Sequence, residues 1–154
     1  DGRVDVPRST RIRKLIGDRE AVFHRAFDVT PDPFRALEEL VGLGITRILT
    51  SGQRDTVCEG LDLIKRLVDY AGDRIQILPG GGIKPYQIDE VIARTGCRQI
   101  HVAAWATRRD DSTRHHPDVT FGGALYPPEN LYDVTDRAVV ADLAGRLAAT
   151  RPAR

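Results

Sequence analysis

The 154-residue chain contains no methionine and two cysteines. Cys58 and Cys97 lie far apart, with no C-x-x-C pair and no histidine at zinc-finger spacing, so a thiolate zinc site or dithiol redox motif is excluded. Both are expected as reduced thiols, small core or half-buried residues. The chain opens on Asp1, and the absence of methionine makes it an incomplete primary translation product; upstream sequence is expected. No apolar run approaches the roughly 20 residues a membrane span needs. The opening Asp-Gly-Arg-Val-Asp has no signal-peptide character, so the expectation is a soluble cytoplasmic protein with no membrane partner. Strong charge of one sign is lacking too: the formal net charge is +1, which gives no whole-molecule field for nucleic acid. Of the 23 basic residues 20 are arginine, but they are scattered among Asp and Glu, which points to compositional bias and to no nucleic-acid partner.

What is present is ordinary for a globular domain, with 41 % hydrophobic and 29 % charged residues. A chain of this length buries about two-thirds of the surface it exposes when unfolded. It is too short for a complete (β/α)₈ barrel of about 250 residues.

Along the chain, short β-branched runs alternate with amphipathic helices, the pattern of parallel βαβ units. A first helix is expected from Asp5 to Gly17, with Pro7 in its first turn. Strands are expected at Ala21–Phe27, Thr46–Thr50, Arg74–Leu78 and Arg98–Ala103, spaced by about one βα unit each. Between them, Thr30 or Asp32 can cap a helix carrying Phe34, Leu37, Leu40 and Val41. A second helix carries Val57, Leu61, Ile64, Leu67 and Val68, and a third spans Pro85–Ala93. The stretch from Trp105 to Tyr132 breaks the rhythm. It is polar, holds His115, His116, Pro117, Gly122, Gly123, Pro127 and Pro128, and is expected as a functional or disordered loop. A last helix is expected over Val134–Ala149.

The expected fold class is therefore α/β, of the (β/α)₈ TIM-barrel type. It would comprise only about four βα units, one partial barrel domain over 1–150 and a tail over 151–154. Half a barrel exposes two parallel edge strands, which predicts a homo-oligomer or a missing N-terminal half as partner.

Active sites of parallel α/β folds lie at the carboxyl ends of the strands, and all four ends here are polar. The first carries His24, Arg25 and Asp28. Strand alternation places His24 and Asp28 on one face, as base and orienter or as two metal ligands. The second, Thr50-Ser51-Gly52-Gln53, offers hydroxyls and a close backbone approach at Gly52; no adjacent acid makes Ser51 a nucleophile, so Ser51 and Gly52 are assigned to ligand hydrogen bonding or to a plain turn. The third, Gly80-Gly81-Gly82, lies between a strand and a helix, where successive N–H groups can converge on a small anionic ligand; the alternative is a steric need for glycine. The fourth carries His101, a further candidate metal ligand beside His24 and Asp28.

With these pieces in order, the chain resembles the CutC family, named for copper homeostasis. The carriers are Phe23-His24-Arg25-Ala26-Phe27-Asp28, Leu49-Thr50-Ser51-Gly52-Gln53, Pro79-Gly80-Gly81-Gly82-Ile83 and Ile100-His101-Val102, with the opening Asp-Gly-Arg-Val-Asp. The resemblance covers most of residues 1–104. It departs where Ala103, Ala104 and Trp105 follow the histidine, and the family's N-terminal strands have no counterpart. It implies units five to eight of the barrel and a role in copper homeostasis, with copper or another metal ion as the ligand to test. The residues lend copper little independent support, because Cu(I) prefers thiolate and thioether ligands. The alternatives are an enzyme acting on a small phosphorylated or carboxylated metabolite, or an inactive remnant. In the enzyme, Gly80 to Gly82 would hold the anion, His24 would act as acid or base, Asp28 would orient it and Arg25 would counter charge.

Overall fold

A computed structural model describes residues 1–122 and 128–149. Gly123, Pro127 and the 151–154 tail lie outside the described residues. The chain is α/β and divides into two compact units at Val102/Ala103, where one partial domain over 1–150 is expected from the sequence.

In the first unit, helix α1 (Val6–Ile16) starts where Asp5 accepts a hydrogen bond from the Arg8 N–H at 3.0 Å and ends on Gly17, as its caps predict. Strand β1 (Val22–Phe23) is followed by a 3₁₀ helix over Arg25–Val29. Asp32 then caps α2 (Pro33–Gly42) by accepting from the Phe34 and Arg35 N–H groups, each at 3.0 Å, with Pro33 in the first turn. Strand β2 (Arg47–Thr50), α3 (Leu61–Ala71), β3 (Gln76–Pro79) and α4 (Ile88–Thr95) complete the alternation. The sheet is parallel with order β1-β2-β3, in which Phe23 pairs with Ile48 and Ile48 with Ile77.

Helical spacing explains the core. Leu37 and Leu40 of α2, Leu61, Ile64, Leu67 and Ala71 of α3, and Ile88 and Val91 of α4 are buried together with Phe27, Ile48, Val57 and Ile77. Phe34 and Val41, expected in the α2 stripe, are only half-buried. The Phe34 ring instead meets Tyr70 edge-on at 5.2 Å, with Arg66 at 5.0 Å from its centroid. The opposite parity of the sheet is less covered. Arg47 donates to Gln76 at 2.6 Å and pairs with Glu20 at 2.7 Å, while Leu49 and Leu78 stay half-buried.

Three expectations need correction. The first strand ends at Phe23, not Phe27, because the His24 ring offers the backbone a local partner. Its Nδ1 accepts from Ala26 N–H at 3.0 Å and its carbonyl from Phe27 N–H at 3.1 Å, which winds the chain into the 3₁₀ helix. The strand expected over Arg98–Ala103 is reduced to one bridge between Gly80 and His101. Pro79 has no N–H to give, its carbonyl accepts from His101 N–H at 2.8 Å, and Gly81 and Gly82 turn the chain away at φ 133° and 70°. The third concerns the polar stretch after residue 104, whose ends are strands.

In the second unit, β4 (Trp105–Arg109) pairs antiparallel with β5 (Leu131–Thr135). Thr107 donates to Asp133 at 2.8 Å, and Arg108 pairs with Asp136 at 3.1 Å. Asp136 also caps α5 (Arg137–Ala149), which starts three residues later than expected because Val134 belongs to the strand. His115 and His116 sit in an exposed turn, where Arg114 Nε donates to His115 Nε2 at 3.0 Å.

Candidate functional site

The carboxyl ends of β1, β2 and β3 meet at one polar cluster in the first unit. The 3₁₀ helix that His24 begins buries Phe27 completely and aims Asp28 at the end of β2. The Asp28 side chain is only 7 % exposed. Its oxygens accept from Thr50 Oγ1, from Ser51 N–H at 3.0 Å, from Gln53 N–H at 3.1 Å, from Arg25 Nε at 2.8 Å and from Ser51 Oγ at 2.9 Å. A carboxylate offers about four lone-pair sites, so Asp28 has none to spare. Burial alone would raise its pKa. The hydrogen bonds from Thr50, Arg25, Ser51 and Gln53 outweigh that and bring it below the ordinary carboxylate value.

Asp28 therefore does not serve His24. His24 is exposed and its Nδ1 is taken by the Ala26 N–H, so the expected pairing of base and orienter is replaced by an Arg25–Asp28–Ser51 network. The sequence shows no acid next to Ser51, yet folding brings one within hydrogen-bond distance. Ser51 is nonetheless fully buried, and the Asp28 carboxylate is a weakened base, so the arrangement positions a loop and does not activate a nucleophile.

Arg25 lies across this cluster. Besides Asp28 it donates through Nη2 to Ser51 Oγ at 2.6 Å and to the Arg54 carbonyl at 3.1 Å, while Nη1 has no acceptor among the described residues. The guanidinium rests above Gly81: a Cβ there would lie 3.0 Å from Nη1 and 3.2 Å from Ser51 Cβ. Gly80 is equally hemmed, since a Cβ would come within 2.6 Å of Leu49 Cδ1 and 2.9 Å of His101 Cβ. Gly80 N–H donates to the Thr50 carbonyl, and the Gly81 carbonyl accepts from Val57 N–H, each at 2.9 Å. The steric need for glycine is thus met at Gly80 and Gly81, and the glycine run opens into a 3₁₀ helix over Pro85–Gln87 before α4.

Gly52 packs backbone to backbone against Gly60, where an added Cβ on either would collide with the other strand of chain. Gly60 was not singled out by the sequence. Its signal is a glycine placed just before an apolar helix that lacks a side-chain cap. Gln53, at φ 57°, is held in the left-handed region by its N–H on Asp28 and by Nε2 donating to the Thr30 carbonyl at 2.6 Å.

Around this cluster the candidate metal ligands do not assemble. His101 is exposed on its bridge to Gly80, and Asp28 is spent. Among the described residues no group of three or more His, Cys, Asp or Glu side chains could hold a metal ion. Cys58 is half-buried and Cys97 buried, both free, and burial pushes both thiols up. A neighbouring open cleft of about 460 Å³ is lined by Gln53, Arg54, Asp55 and Glu59, a mixed-charge wall that favours neither an anion nor a cation.

Residues 1–106 match the family model of the CutC family. A CutC family protein of Treponema denticola is 50 % identical over 134 residues, which cover 87 % of this chain and 54 % of that protein. A human copper homeostasis protein cutC homolog is 36 % identical, over 93 % of this chain and 52 % of its own length. The crystal structure of the CutC protein of Streptococcus agalactiae superposes with a TM-score of 0.62 at 35 % identity, over 65 % of this chain and 50 % of that one. The chain spans about half the length of the curated relatives it matches.

Proposed function

The chain belongs to the CutC family, and from that premise we propose that it serves copper homeostasis in the cytoplasm as one half of a (β/α)₈ barrel. Three consecutive parallel strands with intervening helices, a fourth segment that touches the sheet at His101, and relatives about twice as long support the half barrel. Among the described residues no helix is long and apolar enough to cross a membrane. Copper homeostasis is carried in the names of the human relative and the Streptococcus agalactiae protein.

The side chains present do not fit a copper centre of their own. Cu(I) favours thiolates and thioethers, whereas this chain has no methionine and holds its two thiols in settings that disfavour the thiolate. The observation that carries the proposal is the saturation by protein donors of Asp28, the carboxylate at the centre of the strand-end cluster. The chain thus acts in copper homeostasis without ligating the metal. Titration with Cu(I) against a chromophoric Cu(I) chelator tests this. The expected outcome is no stoichiometric retention by the chain; one equivalent retained, and lost in Cys58→Ser or Cys97→Ser, would show a copper site instead.

A second possibility, an enzyme acting on a small phosphorylated or carboxylated metabolite, is favoured by one observation. The strand ends present unspent donors, Arg25 Nη1 and the Gly81 and Gly82 N–H groups, beside an Asp28 carboxylate that is spent. The acid-base pair of His24 and Asp28 is not available to it, so no reaction is assigned.

A further inference from the structure

We propose that Arg25, Gly81 and Gly82 form a binding site for the phosphoryl group of a small metabolite. The site goes beyond the copper role and does not depend on it.

Three donors carry the inference. Arg25 Nη1 is the one guanidinium nitrogen left without an acceptor when Nε is committed to Asp28 and Nη2 to Ser51 and Arg54. Gly81 and Gly82 donate their N–H groups to no acceptor among the described residues, whereas Gly80 N–H is spent on Thr50 and the Gly81 carbonyl is turned to Val57. Both glycines have positive φ, 133° and 70°, in a turn that leaves their consecutive N–H groups without a protein acceptor among the described residues. The contact that Gly81 makes with the guanidinium brings the backbone and side-chain donors to one place: any Cβ there would press on Arg25 Nη1 and Ser51.

The electrostatic setting matches. Arg25 is 42 % exposed, hence reachable, but fixed by its bonds to Asp28 and Ser51, so little side-chain entropy remains to be lost on binding. Exposed His101 adjoins Gly80, and exposed Lys84 follows two residues after Gly82. Asp28, the carboxylate bonded to Arg25, is neutralised by the network, and Glu59 is turned onto Thr56 N–H at 3.1 Å; Asp55, whose carbonyl Arg25 Nη2 approaches at 3.5 Å, puts one further carboxylate on the neighbouring loop. A tetrahedral phosphoryl group, with several oxygens, suits donors arriving from two strand ends better than a planar carboxylate does.

The test is a phosphate titration of the ¹⁵N-labelled chain, at constant ionic strength set with chloride. Inorganic phosphate is the probe, and sulfate and acetate serve as parallel arms. Saturable movement of the Gly81 and Gly82 amide resonances with phosphate, weaker with acetate, is the expected result. Arg25→Lys, which keeps the charge but loses the fixed fork, should weaken phosphate by about tenfold or more. Folded protein whose Gly81 and Gly82 amides do not respond, or respond equally to chloride, would overturn the site. Stronger movement with acetate would reassign it to carboxylates, contrary to the proposal. Because the readout uses no copper, a failure here is distinct from a failure of the copper role.

Discussion

Asp28 shows how much one side chain decides. The sequence places it one residue beyond the strand expected over Ala21–Phe27, where alternation suggests it stands beside His24. In the fold it reaches from the 3₁₀ helix to the end of β2, gathering Thr50, Ser51 and Gln53 and holding Arg25. Replacing it by Asn leaves buried donors unmatched, so Asp28→Asn should lower the unfolding free energy by about 3 kcal/mol in urea denaturation. The sign of the pH dependence follows from its depressed pKa. Its contribution is complete above the ordinary carboxylate value of 3.8 and is lost as pH falls through the lower folded value. Wild-type stability should therefore decline with acidification below about pH 4, and the Asp28→Asn variant should decline less over the same range. Equal acid slopes for the two would show that Asp28 is not ionised in the network.

Helices were the most legible elements, because their signals are local. Asp5 with Pro7, Asp32 with Pro33, and the closing glycines Gly17, Gly72 and Gly96 mark the ends of helices that form there. Strands were less legible. His24 ends β1 through a bond from Ala26 N–H, and β4 and β5 escaped notice because they carry no alternating apolar face and are exposed almost throughout, with only Ala106 and Val134 partly covered. An amphipathic stripe also says nothing of what covers it. The apolar residues of α3 are buried, whereas α1 has no buried residue and leaves Leu15 84 % exposed. Ile64→Ala should thus cost about 2 to 5 kcal/mol, and Leu15→Ala less than about 0.5 kcal/mol, in thermal or urea unfolding of the dilute chain. A cost at Leu15 comparable with that at Ile64 would mean that α1 is covered in solution.

At the scale of the whole molecule, the parallel sheet of the first unit is bounded by β1 on one side and by a single bridge at His101 on the other. Both borders present strand edges that a closed barrel would pair. A second copy of this chain offers the complementary borders, so the mass in solution should be about twice the 17.1 kDa of one chain by sedimentation equilibrium. A wild-type chain that sediments as a well-folded monomer would set the second copy aside.

The amino-acid sequence by itself determined the α/β class, the order and approximate place of the α-helices, the glycine-rich and polar strand ends, and membership of the CutC family, because periodicity, caps and short motifs act over a few residues. Tertiary structure alone decided what those strand ends do. It turned Asp28 from a partner of His24 into the anchor of the β2 loop, supplied Ser51 with an acid, put Arg25 over Gly81, and set Gly60 against Gly52. Each of these depends on chain segments more than twenty residues apart, or on backbone approach that no side-chain pattern records. A carboxylate has a fixed number of lone pairs, and only the fold determines which donors occupy them.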